Sequence, residues 1–161
     1  MYIDQSRAMP KYRPNVAAII MNRDGEVLIC ERKNNARAWQ FPQGGVDKGE
    51  TLKEALYREV WEEVGLKSKF YDVVDEKDGY RYLYPPKVRA KKKYAGQKQT
   101  YFLCKLRKGA PEVDLGTNNP EFSDYDWVRP EEFDEEWLPD FKLDVYRQVM
   151  RDFFAVDIAS E

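Results

Sequence analysis

The chain contains no histidine. No Ser-His-Asp or Cys-His pair can therefore form, and no histidine-ligated zinc. Proton chemistry is left to Asp, Glu, Lys, Tyr or a metal-bound water. Cysteine is scarce, with Cys30 and Cys104 the only two, so a disulfide framework is excluded. Both lie in apolar, strand-like runs and read as reduced core thiols of a cytoplasmic protein. Long hydrophobic runs are missing too. The longest aliphatic stretch, Val16 to Met21, is six residues, too short for a transmembrane helix. The first fifteen residues show no basic-then-apolar leader. Net charge is −2, which gives no bulk attraction to nucleic acid.

What is present is enough for one domain with a real core. The 161 residues are 42% hydrophobic and 14% aromatic, which argues against disorder. No internal repeat or linker divides them, so a single domain over residues 1–161 is expected. The 23 aromatics exceed the evident needs of a small core, which leaves a homodimer open.

Val16 to Met21 reads as a buried strand, Asp24-Gly25 as a hairpin turn and Val27 to Cys30 as the returning strand. Trp39 to Phe41 reads as a short strand stopped by Pro42. Gly44, Gly45 and Gly49 suggest a flexible bend. Thr51 with Glu54 is a capping-box pair, and Gly65 sits where a helix C-cap belongs. Further strands are expected at Phe70 to Val74, Tyr80 to Tyr84, Thr100 to Leu106 and Tyr125 to Val128. A last helix is expected from Asp140 to Val156, with Phe141, Val145, Val149 and Phe153 in one apolar row. The order fits an α/β or α+β sandwich with a mixed sheet.

The first helix carries carboxylates where apolar side chains belong. With Leu52 at 0°, Leu56, Val60 and Val64 fall at about 40°, 80° and 120°, the core-facing positions. Glu63 falls at about 20°, Glu59 at about 340° and Glu62 at about 280°. Two acids thus lie on or beside the apolar stripe. Partly buried like charges are costly unless a cation or a proton intervenes. Arg58 is one positive charge against three negative. The missing charge is most simply a divalent metal, and oxygen ligands select a hard ion, Mg²⁺ or Mn²⁺. The Gly44–Gly45 backbone, free of side chains, would let a carbonyl oxygen approach that ion.

Residues 44–66 read GGVDKGETLKEALYREVWEEVGL. They resemble the Nudix box, G-x5-E-x7-R-E-U-x-E-E-x-G-U with U aliphatic, at Gly44, Glu50, Arg58, Glu59, Val60, Glu62, Glu63, Gly65 and Leu66. The segments YRPNV, WQFPQGG, GQKQTYFL, PEF and FKLDVYRQVM are similar to those of the bacterial RNA pyrophosphohydrolase branch, itself close to dinucleoside polyphosphate hydrolases. The likeness runs from about residue 12 to 154 and is least diagnostic over Lys67 to Ala95 and Arg107 to Asn119. It implies an α/β/α sandwich with a mixed sheet and a catalytic loop-helix. It also implies Mg²⁺-dependent cleavage of a phosphoanhydride, on the 5′-phosphorylated end of RNA or on a nucleotide.

On this reading Glu59, Glu62 and Glu63 hold the metal with the Gly44 carbonyl. The water's proton goes to Glu62 or Glu63. Arg58 orients a helix carboxylate rather than touching substrate, and Glu50 either braces the loop through Arg58 or binds metal. The resemblance adds Glu121, in PEF, as an extra carboxylate from a later loop. It makes Arg13 and Arg32 polyphosphate contacts, Phe141 a base-stacking aromatic and Lys142 a neighbouring cation. Phe141 also lies on the Val145 row, so core packing stays open. Tyr82 and Tyr84 are further purine-contact candidates. Gln97 and Gln99 serve either the site's polar rim or a strand start. From Pro85 to Lys98 there are six Lys or Arg and no acid, either a solvated loop or a phosphate-tracking patch. Two other functions compete with RNA 5′-pyrophosphohydrolysis: hydrolysis of dinucleoside polyphosphates or nucleoside triphosphates, and a non-catalytic nucleotide-binding module. The intact acids argue against the last.

Overall fold

The computed structural model describes residues 11–117 and 120–158. The leader expectation, for residues 1–10, lies outside them. Seven strands and three helices follow in order: β1 Tyr12–Met21, β2 Val27–Arg32, β3 Trp39–Gln40, β4 Gln43–Gly45, α1 Leu52–Val64, β5 Tyr71–Leu83, α2 Pro86–Arg89, β6 Gly96–Leu106, β7 Phe122–Val128 and α3 Asp140–Phe154. The strands form one sheet in the order β3-β2-β1-β6-β5, with β4 paired to β1 and β7 to β2. β1 and β6 run parallel over ten paired residues, and the other pairings are antiparallel. The sheet is therefore mixed, as expected.

β1 is apolar without alternation because both of its faces are covered. Val16, Ala18 and Ile20 pack with Leu28, Phe102 and the α1 residues Leu56, Val60 and Val64. Ala17 and Ile19 face the other way, onto Phe41, Tyr101 and the α3 residues Val145, Tyr146 and Val149. This is the α/β/α sandwich. The α3 side absorbs much of the aromatic content, with Phe41 stacked on Tyr146 and Tyr146 on Phe133. Cys30 and Cys104 are buried, free and in the α1-side core, where burial pushes both thiols up, Cys104 to about 12.

Besides longer β1 and β7 strands, which start at Tyr12 and Phe122 rather than Val16 and Tyr125, the structure departs from expectation in four places. Gly44 and Gly45 are not a loose bend. They form β4, with Gly44 opposite Val16 and Gly45 opposite Asn15. The two strands expected between Phe70 and Tyr84 are one strand, β5, which absorbs two irregularities in register against β6. Gly79, at φ +88°, lies in the second of them. β6 begins at Gly96 rather than Thr100, because parallel pairing with β1 continues to Tyr12. Leu52, expected to face the core, is 37% exposed, since it opens α1 where the helix is only beginning to meet the sheet.

Candidate functional site

The site is built by a strand, a loop and a helix in direct succession. β4 lies against β1 and turns through residues 46–51 into α1. The Thr51 hydroxyl accepts from the Glu54 N–H at 3.1 Å, which fixes the helix start. Gly65, at φ +69°, ends the helix, and its N–H donates to the Trp61 carbonyl.

Arg58 ties the loop to the helix. Its Nε and Nη2 donate to the two oxygens of Glu50 at 2.7 and 2.8 Å. Nη2 also reaches the Gly45 carbonyl at 2.9 Å, and Nη1 donates to Glu59 at 2.8 Å and to Glu62 at 3.2 Å. Glu50 in turn accepts from the Asp47 N–H at 2.8 Å. The guanidinium pulls the Glu50 carboxyl down to about 2. Glu50 thus braces the loop through Arg58, one of the two roles the sequence left to it.

Behind this fork the carboxylates are crowded. Glu63 is only 3% exposed, whereas Glu62 is half exposed, in keeping with their positions on the helical wheel. Glu59 and Glu63, one turn apart on α1, line the same cavity. Burial raises both, and the Glu59 and Glu121 charges raise Glu63 further. The Gln43 N–H lies 3.4 Å from Glu63 Oε2. Gly44 packs so closely under Glu59 that a Cβ there would collide with the carboxylate. The side-chain oxygen of Gln43, in the same strand, is buried with no partner.

Crowded, largely buried carboxylates beside the Gly44 backbone, where a Cβ would collide with Glu59, make an oxygen-only donor set, which fits a hard divalent cation. Glu59, Glu63 and the Gly44 carbonyl would hold it, with Glu62 and Glu121 at its edge. Among the described residues, no three acidic or thiol side chains already converge on one point. Glu59 and Glu62 are drawn to Arg58 instead.

Glu59, Glu62, Glu63 and Glu121 line one cavity of about 520 Å³ together with Asp114 and Thr117. Asp114 was not legible in the sequence. It reaches the cavity because its N–H bonds the Val64 carbonyl at 2.9 Å and its backbone packs on Gly65. A more open recess of about 580 Å³, at the β5 irregularity, is remote from these acids. Its Tyr80–Asp152 hydrogen bond of 2.7 Å ties β5 to α3.

The cationic candidates occupy three separate places. The Arg13 guanidinium lies against Gly45, where a Cβ would strike it. Arg32 lines a small recess of about 190 Å³ with Glu121, which borders both cavities. Lys142 is 8% exposed, with Nζ 3.4 Å from the Gln40 side-chain oxygen. Burial, then the Arg32 charge, pulls its amine down to about 8. Phe141 is half-buried, with ring centroids 5.4 Å from Tyr82 and 6.5 Å from Tyr84. Tyr82 itself is buried beneath it. The two glutamines separate in role. Gln99 is buried, donating to Asn15 and accepting from the Tyr101 hydroxyl. Gln97 is half-buried and donates to the Tyr84 hydroxyl at 3.1 Å.

A loop and helix of this kind, mounted on an α/β/α sandwich, make a Nudix-type hydrolase scaffold. The NUDIX domain model matches residues 11–153, and the chain belongs to that family. It is 41% identical over 152 residues to an RNA pyrophosphohydrolase of Shewanella pealeana, covering 88% of this chain and 84% of that protein. An RNA pyrophosphohydrolase of Roseobacter denitrificans is 41% identical over 150 residues, covering 89% and 92%. Among solved structures, a MutT protein from Methanosarcina mazei superposes with a TM-score of 0.58 at 26% identity, over 89% of this chain and 96% of that one. A C. elegans Ap4A hydrolase complex shares the fold, with a TM-score of 0.64 at 20% identity over 89% and 98%. No helix among the described residues is long and apolar enough to cross a membrane.

Proposed function

We propose that the chain is an RNA 5′-pyrophosphohydrolase, a single domain over residues 1–161 acting with Mg²⁺, or with Mn²⁺ in its place. Water attacks a phosphorus of the 5′-triphosphate and a phosphoanhydride bond breaks; a 5′-monophosphate RNA leaves with pyrophosphate after one hydrolysis, or with two phosphates after two successive ones. The observation that carries the chemistry is the Glu59–Glu63 pair, crowded beside the bare Gly44 backbone in one acid-lined cavity. The relatives named RNA pyrophosphohydrolase, at about 40% identity over most of the chain, support the substrate. When bound, the divalent ion supplies charge neutralisation on the phosphates and lowers the pKa of the attacking water. The protein supplies the rest. Arg58 sets Glu59 and Glu62 at fixed angles. Glu62 or Glu63 accepts the water's proton, and Glu121 adds a carboxylate from the far wall. Arg13, Arg32 and Lys142 bind the polyphosphate, while Phe141 stacks on the first base with Tyr82 behind it. Phosphoryl transfer needs mainly such positioning and charge stabilisation. The two buried thiols suit the reducing cytoplasm.

Glu63→Gln tests this with a triphosphate-ended RNA, diadenosine tetraphosphate and GTP in one Mg²⁺ buffer. Loss of acid–base function should lower kcat by about 10²–10⁴-fold. The wild type should show its highest kcat/KM on the RNA. A variant within threefold of wild type removes Glu63 from the chemistry. Preference for the dinucleotide or for GTP reassigns the substrate.

A further inference from the structure

The six cations between Pro85 and Lys98 lie in the connection from β5 through α2 into β6, and the catalytic chemistry uses none of them. The whole chain holds 27 basic and 29 acidic residues, but this stretch has six of the former and none of the latter. The connection is pinned to the site's aromatic wall. Arg89 Nε donates to the Tyr84 carbonyl at 3.2 Å, and Lys92 Nζ sits 5.0 Å over the Tyr84 ring. The Tyr84 N–H donates to Ala95, and the Ala95 N–H to Lys11, both at 2.8 Å. Tyr84 meets Phe141 on one side and receives the Gln97 amide on the other. Gln97 lies opposite Arg13, which lies on Gly45. An unbroken set of contacts thus runs from the acids to the basic connection.

Its outward cations have no acidic partner among the described residues, although Lys93 Nζ lies 5.5 Å over the Tyr94 ring. Lys87, Lys91 and Lys93 are exposed and form no ion pair among the described residues. Such crowding is self-repelling unless a polyanion lies across it. The placement limits which polyanion. Gly96 is level with Tyr12, and Gly44 with Val16, so the connection joins β6 about 13 Å further along the sheet than Gly44, at about 3.3 Å per strand residue. A free nucleotide has little left to offer there once its phosphates lie in the site. A single strand of several nucleotides reaches it.

We propose that residues 85–98 form a basic arm that tracks the sugar–phosphate backbone of single-stranded RNA downstream of its first nucleotide. The arm makes the enzyme sensitive to RNA length. The inference rests on the RNA reading of the site, and its test is independent of catalysis. The probe is a twelve-nucleotide RNA with a 5′-hydroxyl, which carries no phosphoanhydride. Its binding to wild type and to the triple variant Lys87→Ala, Lys91→Ala, Lys93→Ala is followed by fluorescence anisotropy in 50 and 200 mM KCl. Thermal melting checks that the variant folds. Removing three phosphate contacts should reduce the slope of log Kd against log salt by about 2. Wild type should then lose about 20-fold more affinity than the variant over that salt range. The ratio of kcat/KM for a twelve-nucleotide over a two-nucleotide triphosphate RNA should also fall toward one in the variant. Equal salt slopes and equal ratios overturn the arm. A wild type that binds the probe through these lysines but cleaves no triphosphate RNA keeps the arm and overturns the assigned reaction.

Discussion

Glu59 has no room to move toward Gly44, and that single contact sets a sharp expectation. Gly44→Ala would place a methyl group inside the Glu59 carboxylate, so the side chain must leave its position beside Glu63. Metal-dependent turnover should fall at least tenfold, while far-UV circular dichroism stays native. Full activity in the alanine variant would mean that Glu59 does not act from that position. Lys142 carries the pH expectation. Its folded pKa, about 8, lies below the ordinary lysine value because burial, then Arg32, opposes its charge. The buried charge therefore destabilises the fold fully below pH 8, and that penalty fades as pH rises toward 10. Lys142→Met lacks the penalty, so its stability advantage in urea unfolding should shrink between pH 7 and 9.5, by about 1–2 kcal/mol. An advantage independent of pH would place the amine's titration elsewhere. At this scale the sequence was informative where one helix decides the geometry. Helical angles alone put Glu63 and Glu59 near the core and Glu62 outside it. Asp114 and Gln43 escaped notice because a Gly65 cap and a strand pairing deliver them, and neither leaves a local pattern.

The loop and α1 behave as one element because Arg58 holds both. One planar fork reaches Glu50, Gly45, Glu59 and Glu62. A lysine ammonium is a single point charge and cannot reproduce that geometry. Arg58→Lys should therefore lower kcat about tenfold and leave KM for RNA within twofold, since Arg58 orients carboxylates and touches no substrate. A rise in KM with unchanged kcat would instead put Arg58 on the substrate. The ends of α1 were legible because Thr51 and Gly65 are local signals with local causes. β4 was not, because Gln43, Gly44 and Gly45 have low strand propensity. They are extended only because β1 lies beside them. β5 misled for the opposite reason. Asp75 to Gly79 look like a turn, yet pairing with β6 carries the strand through two irregularities.

Sheet order is a property of the whole chain, and nothing near β1 announces that β6 lies parallel to it some eighty residues later. What the sequence did show was that Val16 to Met21 is apolar at every position, which demands cover on both faces. That demand has a thermodynamic consequence. Val16, Ala18 and Ile20 belong to the α1-side core, and Ala17 and Ile19 to the α3-side core, all on one strand. Neither helix can leave the sheet without exposing a face of the strand that anchors the other. The two cores should therefore unfold together, although they share no side chains. Tryptophans report each side separately. Trp127 packs on the α1-side core, whereas Trp39 and Trp137 pack on the α3-side core. Two variants, one keeping only Trp127 and the other only Trp137, with phenylalanine replacing the rest, should each show a single urea transition. Within each variant the tryptophan fluorescence midpoint should coincide with that of far-UV circular dichroism. A fluorescence transition that precedes the loss of secondary structure in one variant would show that its layer detaches alone, and that the shared strand does not couple the two halves.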